Sequence, residues 1–311
     1  MSEMNDDYQH QYGSIRTPDD LRAIPGYEEV VDFGQNSGRR LLEVLDDYEF
    51  AKVEEYPCGI KDCRTVHQYG YLVRATDGKL TNIGRFCGKR HLNLDFTRAH
   101  KVFREKRKAA DNLKSIMAIR EEFAPHQSRL DAILALSRVL SSCKESLREW
   151  LPSQYAHLVE MGRKGSNQII QSRRMSKREA EIHYLQTGTS RKDYPGGRPI
   201  VEEAVARLDG CAFFQRSLAL LLKKHLMPPI EQLQAMDDAQ IQKLKPKDLE
   251  NLSRNVNNAL RLIQDAETIA EHGMRFFAAD NLQKLTLMGV LPEQLDRLTP
   301  ALAELTAVRA R

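Results

Sequence analysis

Apolar residues fall along this chain in two rhythms. From Arg98 onward, Val102, Ala109, Leu113, Ile116 and Phe123 recur at three- and four-residue spacing. After a break at Pro125, Leu130, Ile133, Leu134, Leu140, Leu147 and Leu151 repeat that spacing as far as Pro152. Such spacing lines up side chains along one stripe of an α-helix. Two amphipathic helices on either side of a short break predict an antiparallel, coiled-coil-like helical hairpin over 98–162. Farther on, Leu249, Leu252, Val256, Leu260, Ile263 and Ile269 mark a long helix over 246–272. Another helix is expected to open at Pro199, with Val201, Val205, Leu208, Leu218, Leu221 and Leu222 inward, and to end at Pro228-Pro229. Gly273, Gly289, Pro292 and Pro300 cut the rest into short pieces.

The second rhythm covers 66–86. Tyr69, Tyr71 and Val73 alternate with small or polar residues, Asp77-Gly78 follows, and Leu80 and Ile83 come after. Asp-Gly between two β-prone runs predicts a hairpin. Upstream, Thr17-Pro18-Asp19-Asp20 sets a capping side chain before Pro at the first helical position, and Pro25-Gly26 stops that helix. Residues 38–48 (GRRLLEVLDDY) predict a second short helix, and a strand around 50–53 leads into the cysteines. The pattern lapses between 162 and 198, which reads as a basic, irregular insert with a β-compatible Gln168-Ile169-Ile170 and a short helix over 176–185. The expected fold is therefore mainly α, in five segments. An acidic N-terminal segment with short helices (1–55) is followed by a small β-hairpin–helix module (56–97), the helical hairpin (98–162), the insert (163–198) and a C-terminal helical bundle (199–311). No repeat of 20 to 50 residues interrupts this order.

Composition adds a location and a charge asymmetry. Mean hydropathy is −0.53, and no run approaches the ~18 apolar residues of a membrane span. Met1 to Asp7 is acidic and lacks the apolar core of a secretory signal, so a cytoplasmic protein without membrane association is expected. The net charge of +4 hides an acidic leader, with 14 Asp/Glu against 5 Lys/Arg in residues 1–57. The other 254 residues carry 42 basic and 29 acidic side chains, a balance compatible with internal screening or with a polyanionic partner.

Five cysteines, three of them within 30 residues beside a histidine, do not make a disulfide framework. Cys58-x4-Cys63-x23-Cys87-x3-His91 instead pairs two thiols on one glycine-containing turn with a Cys/His pair on the first turn of a helix. That spacing suits one structural Zn2+ in a closed tetrahedral site. Few apolar residues occupy this segment, so a metal is needed to hold it folded. His67 is an alternative to His91 as the fourth ligand. Cys143 and Cys211 sit alone among apolar positions and read as small buried hydrophobes. The order of turn, hairpin and ligand-bearing helix resembles a treble-clef zinc finger over about 56–97. Some nucleases share that frame and place His and Asn around a catalytic ion. His67 and Asn82 fall in the hairpin, but the helix His is already used for the structural ion.

Basic residues crowd two stretches. Arg85, Lys89, Arg90, Arg98 and Lys101 run from the zinc module onto the first long helix, and Arg173 and Arg174 lie in the insert. Such clusters suit phosphate contacts that are not sequence-specific. No phosphate-cradling glycine loop, dinucleotide fingerprint or nucleophile elbow is present. The sequence thus predicts a zinc-binding, non-enzymatic protein that associates with nucleic acid. A protein–protein adaptor using the long helices is the alternative, a metal-dependent nuclease is a third reading, and the oligomeric state is left open.

Overall fold

The computed structural model describes residues 15–51 and 54–309. The acidic leader before Ile15 and residues 52–53 of the expected strand lie outside the described residues, and Phe50 and Ala51 belong to no strand. Along the chain, α1 (Pro18–Arg22) precedes β1 (Leu41–Glu49), β2 (Tyr56–Pro57), β3 (Val66–His67), β4 (Tyr69–Ala75) and β5 (Leu80–Gly84). Helices α2 (Arg85–Glu121), α3 (Phe123–Trp150) and α4 (Pro152–Lys164) follow. Then come β6 (Gln168–Arg174), α5 (Lys177–Thr187) and β7 (Ile200–Arg207). The rest is helical: α6 (Leu218–Leu221), α7 (Met227–Gln234), α8 (Asp238–Gln242), α9 (Pro246–Phe276), α10 (Ala279–Gln283), α11 (Pro292–Asp296) and α12 (Thr299–Arg309). The fold is mainly α with small antiparallel sheets.

Two compact units divide the chain differently from the five expected segments. One takes residues up to Arg120 together with Met236–Arg254, and the other takes Glu121–Ala235 and Asn255 onward. The first is built on an antiparallel sheet in the order β1-β4-β5. The predicted hairpin is β4 and β5, turning at Asp77-Gly78 with Gly78 at φ +88°. The predicted helix over 38–48 is instead strand β1. Two bulges, between Leu41 and Glu43 and between Val44 and Asp46, insert extra residues into its pairing with β4. Buried positions then fall at Leu41, Val44, Asp46 and Tyr48, an opening interval of three that imitates a helical stripe.

Helix α2 kinks at Asn93, whose φ is +43°. Phe96, just past the kink, packs on Gly88, where a Cβ would stand 2.7 Å from the phenyl ring. Phe96 and Phe103 lie in a core with Val44, Val73 and Ile83. His100 Nε2 lies 2.9 Å from Tyr71 Oη, and Arg107 pairs with Asp47 on β1. Later in α2, Lys108 pairs with Glu250 at 2.7 Å and Arg120 with Asp238 at 3.2 Å, holding α8 and the start of α9 in this unit.

The second unit is a helical assembly around Leu140, Leu147, Leu158, Phe214, Leu226, Ile263 and Phe276. The stripe predicted on α3 is buried as expected, but α12 and α4 cover it. On α2 it is Phe96 and Phe103 that pack on the first unit's sheet, while Val102 of the expected stripe is exposed. The insert is more ordered than its composition implied. β6 and β7 form an antiparallel ribbon, and α5 lies in the connection between them. The helix expected at Pro199 begins instead as β7, whose Ile200, Val201 and Val205 suit a strand once β6 offers a partner. The long helix predicted over 246–272 is α9.

Candidate metal centre

Cys58 and Cys63 lie on the turn between β2 and β3. The β2–β3 ladder pairs Tyr56 with His67, and Cys58 N–H donates to Thr65 O at 2.9 Å. Cys63 N–H donates to Ile60 O at 3.0 Å, closing the turn. Gly59 N–H donates to Asn82 O on β5 at 2.8 Å. A Cβ at Gly59 would sit 2.8 Å from that same oxygen and collide with Thr81 Oγ1, so only glycine permits the approach. Cys87 enters from the first turn of α2, directly after β5. Strand, turn and helix start thus converge on one point.

There the three sulfurs lie within 4.8 Å of one another, close enough to hold a metal ion. Cys58 and Cys87 are buried, and Cys63 is partly exposed. Burial pushes the Cys58 thiol up to about 12 and also raises Cys87. For Cys63 burial works the same way, but hydrogen bonding to Thr65 and to the other two cysteines outweighs it and holds the thiol below its ordinary value. Three thiolates this close repel one another, so a cation is what lets the group deprotonate together.

His91 lies outside this group and is exposed on α2. His67 also falls outside the group of three but stands across Gly84 from Cys87. Its Nε2 is 2.7 Å from Tyr48 Oη, its Nδ1 is 3.2 Å from Thr65 O, and burial lowers its pKa. Asn82, considered above for a catalytic role, is fully buried and spent on structure. Its Nδ2 donates to Tyr48 Oη at 3.1 Å and to Pro57 O at 3.0 Å, while Oδ1 accepts from Tyr27 Oη at 2.6 Å. Tyr27 and Tyr48 had no signal in the sequence, since Tyr48 fell within the supposed helix.

The basic residues divide between the two units. Arg85, Lys89, Arg90 and Arg98 are exposed on α2 and make no ion pair among the described residues. Lys101 lies 3.9 Å from Glu105. Beside Cys87, Phe86 is 83% exposed, an aromatic the charge pattern alone did not single out. In the second unit Arg173 is committed, at 2.8 Å, to both Glu179 and Glu203. Arg174 lies against the backbone of Gly196, where a Cβ would overlap its guanidinium. Cys143 and Cys211 are buried apart from the metal group. Among the described residues no helix is long and apolar enough to cross a membrane.

Compared with protein-family models, curated proteins and solved structures, the chain matches none.

Proposed function

We propose that this is a zinc-bearing, non-enzymatic binding protein whose first unit holds nucleic acid on the helix that its metal centre anchors. One observation carries the reading. Cys87 joins the three-cysteine group from between exposed Arg85 and exposed Lys89 and Arg90, with Arg98 farther along α2, and none of the four is paired among the described residues. Zinc is the ion that a set of close thiols in a non-redox site favours. The sequence of turn, hairpin and helix resembles that of a treble-clef finger, and a metal there would orient the cations on the same turn. Lysine and arginine in this arrangement contact phosphates, which carry no base information, so binding is not sequence-specific. Phe86 offers a base a ring to stack on. Arg173 contributes less, because two carboxylates already hold it. The five free thiols suit a reducing compartment such as the cytoplasm.

Anisotropy titrations with duplex DNA, single-stranded DNA and RNA from ~50 to ~200 mM salt test this. Arg90→Glu and Arg98→Glu are each expected to flatten the slope of log K against log salt by about one unit. Absence of binding to all three probes at ~50 mM salt overturns the reading. A protein-adaptor role has one observation in its favour. Ile170, Ile200 and Val205 on the ribbon, with Ile182 and Leu185 on α5, are exposed apolar side chains. Loss of a co-purifying protein on Ile200→Ser and Leu185→Ser, with the nucleic-acid titration unchanged, identifies that role.

A further inference from the structure

Three thiols leave a tetrahedral ion one donor short. Taking Cys58, Cys63 and Cys87 as metal ligands, we infer that Nδ1 of His67, not the imidazole of His91, is the fourth ligand, and that Tyr48 orients it. A Cβ built on Gly84 would stand 3.0 Å from His67 Nδ1 and 3.3 Å from Cys87 Sγ. The imidazole and the thiol therefore flank one small space that a side chain at position 84 would fill. Pairing with Tyr56 on the short β2–β3 ladder brings His67 to the same side as Cys58, whose N–H is bonded to Thr65 two residues earlier. Cys58, Cys63 and His67 thus come from one β2–β3 hairpin, and Cys87 closes the set from the helix.

The surrounding hydrogen bonds fix which nitrogen faces the metal. A ligating histidine holds its second N–H on a fixed acceptor. Tyr48 Oη stands 2.7 Å from Nε2 and is placed to be that acceptor once Nδ1 is bound to metal. Asn82 Nδ2 donates to the same oxygen at 3.1 Å, and Tyr27 in turn clamps Asn82. Nε2 is thereby taken, and Nδ1 is the nitrogen on the Cys87 side. Its other neighbour is Thr65 O, which accepts the Nδ1 proton when no metal is bound. His91 has no comparable setting. It is exposed and has no hydrogen-bond partner among the described residues.

The test is metal binding by the full-length protein. Zinc stoichiometry and affinity are measured by chelator competition, and the Co2+ form is read by its d–d and thiolate charge-transfer absorption. His67→Ala is expected to weaken zinc binding by about 100-fold or more and to shift the Co2+ d–d bands, while His91→Ala leaves both within about twofold. Tyr48→Phe is expected to cost about tenfold in affinity with the Co2+ ligand set intact. His67→Cys separates ligation from a purely structural role. It should retain the metal and raise the thiolate charge-transfer intensity by about one third, from three sulfurs to four. This variant also serves if His67→Ala does not fold. Wild type that binds no metal overturns the three-cysteine reading itself. Wild type that binds, with affinity lost in His91→Ala and kept in His67→Ala, overturns the assignment of His67 alone. Affinity unchanged in both variants, or no added charge transfer in His67→Cys, does the same.

Discussion

Replacing Asn82 by Ala strikes the point where strand, cysteine turn and His67 are tied together. The amide is fully buried and makes three side-chain hydrogen bonds, to Tyr27, Tyr48 and the Pro57 carbonyl. Alanine keeps the backbone bond from Gly59 but leaves Pro57 O and the Tyr27 hydroxyl without their partners. Each net hydrogen bond is worth about 1 kcal/mol, and each buried group left unmet costs about 1–3 kcal/mol, so the first unit should lose about 3 kcal/mol. With a urea m-value of about 2 kcal/mol/M that moves its midpoint down by about 1.5 M. The two units can be followed separately. Trp150 on α3 is the only tryptophan and belongs to the second unit, so its fluorescence reports that unit. Metal release to a chromophoric chelator reports the first. The expected result is earlier metal release with the Trp150 transition unchanged. A loss below about 1 kcal/mol would show that solvent replaces these bonds, and that the network does not hold the cysteine turn in place.

In the second unit, Leu147→Ala removes a fully buried α3 side chain and should cost about 2–5 kcal/mol, visible as an earlier Trp150 transition in urea. At the metal centre, burial raises the Cys58 and Cys87 thiols, so protons compete with the ion and affinity must fall on acidification, by up to about tenfold per pH unit for each proton displaced. A chelator titration from about pH 8 down to pH 6 measures this. Cys211→Ala should follow the wild-type curve because that thiol lies outside the group, and a changed curve would place it among the ligands.

Much of the candidate site was legible because metal ligation leaves a local mark. Cys58, Cys63 and Cys87 stand out as thiols at turn and helix-start spacing, and a hairpin between them follows from Asp77-Gly78 and the alternation around it. The choice between the two histidines was not legible. Cys-x3-His on a helix and a histidine ahead of a strand are equally good on spacing, and the proposal for His67 rests on the placement of Tyr48, Asn82 and Gly84. The exposed Phe86 was likewise invisible, because a phenylalanine beside a buried cysteine reads as core until its surroundings are known.

For the fold the division runs along the range of the interactions. The sequence by itself determined α9, the inward stripe of α3, the β4–β5 turn and the capped start of α1, since each depends on neighbours within about two helical turns or one hairpin. Tertiary structure decided β1 and β7. The bulges of β1 break its alternation, and the partner of β7 lies about 30 residues away across α5, so neither strand shows a local pattern of its own. It also decided what covers each helix. A stripe of leucines states that a helix has an inward face and carries no information about which surface meets it. The stripe on α3 is covered by α12 and α4, whereas on α2 it is Phe96 and Phe103 that pack on a sheet while Val102 of the expected stripe is exposed, because burial rewards any apolar surface of the right shape.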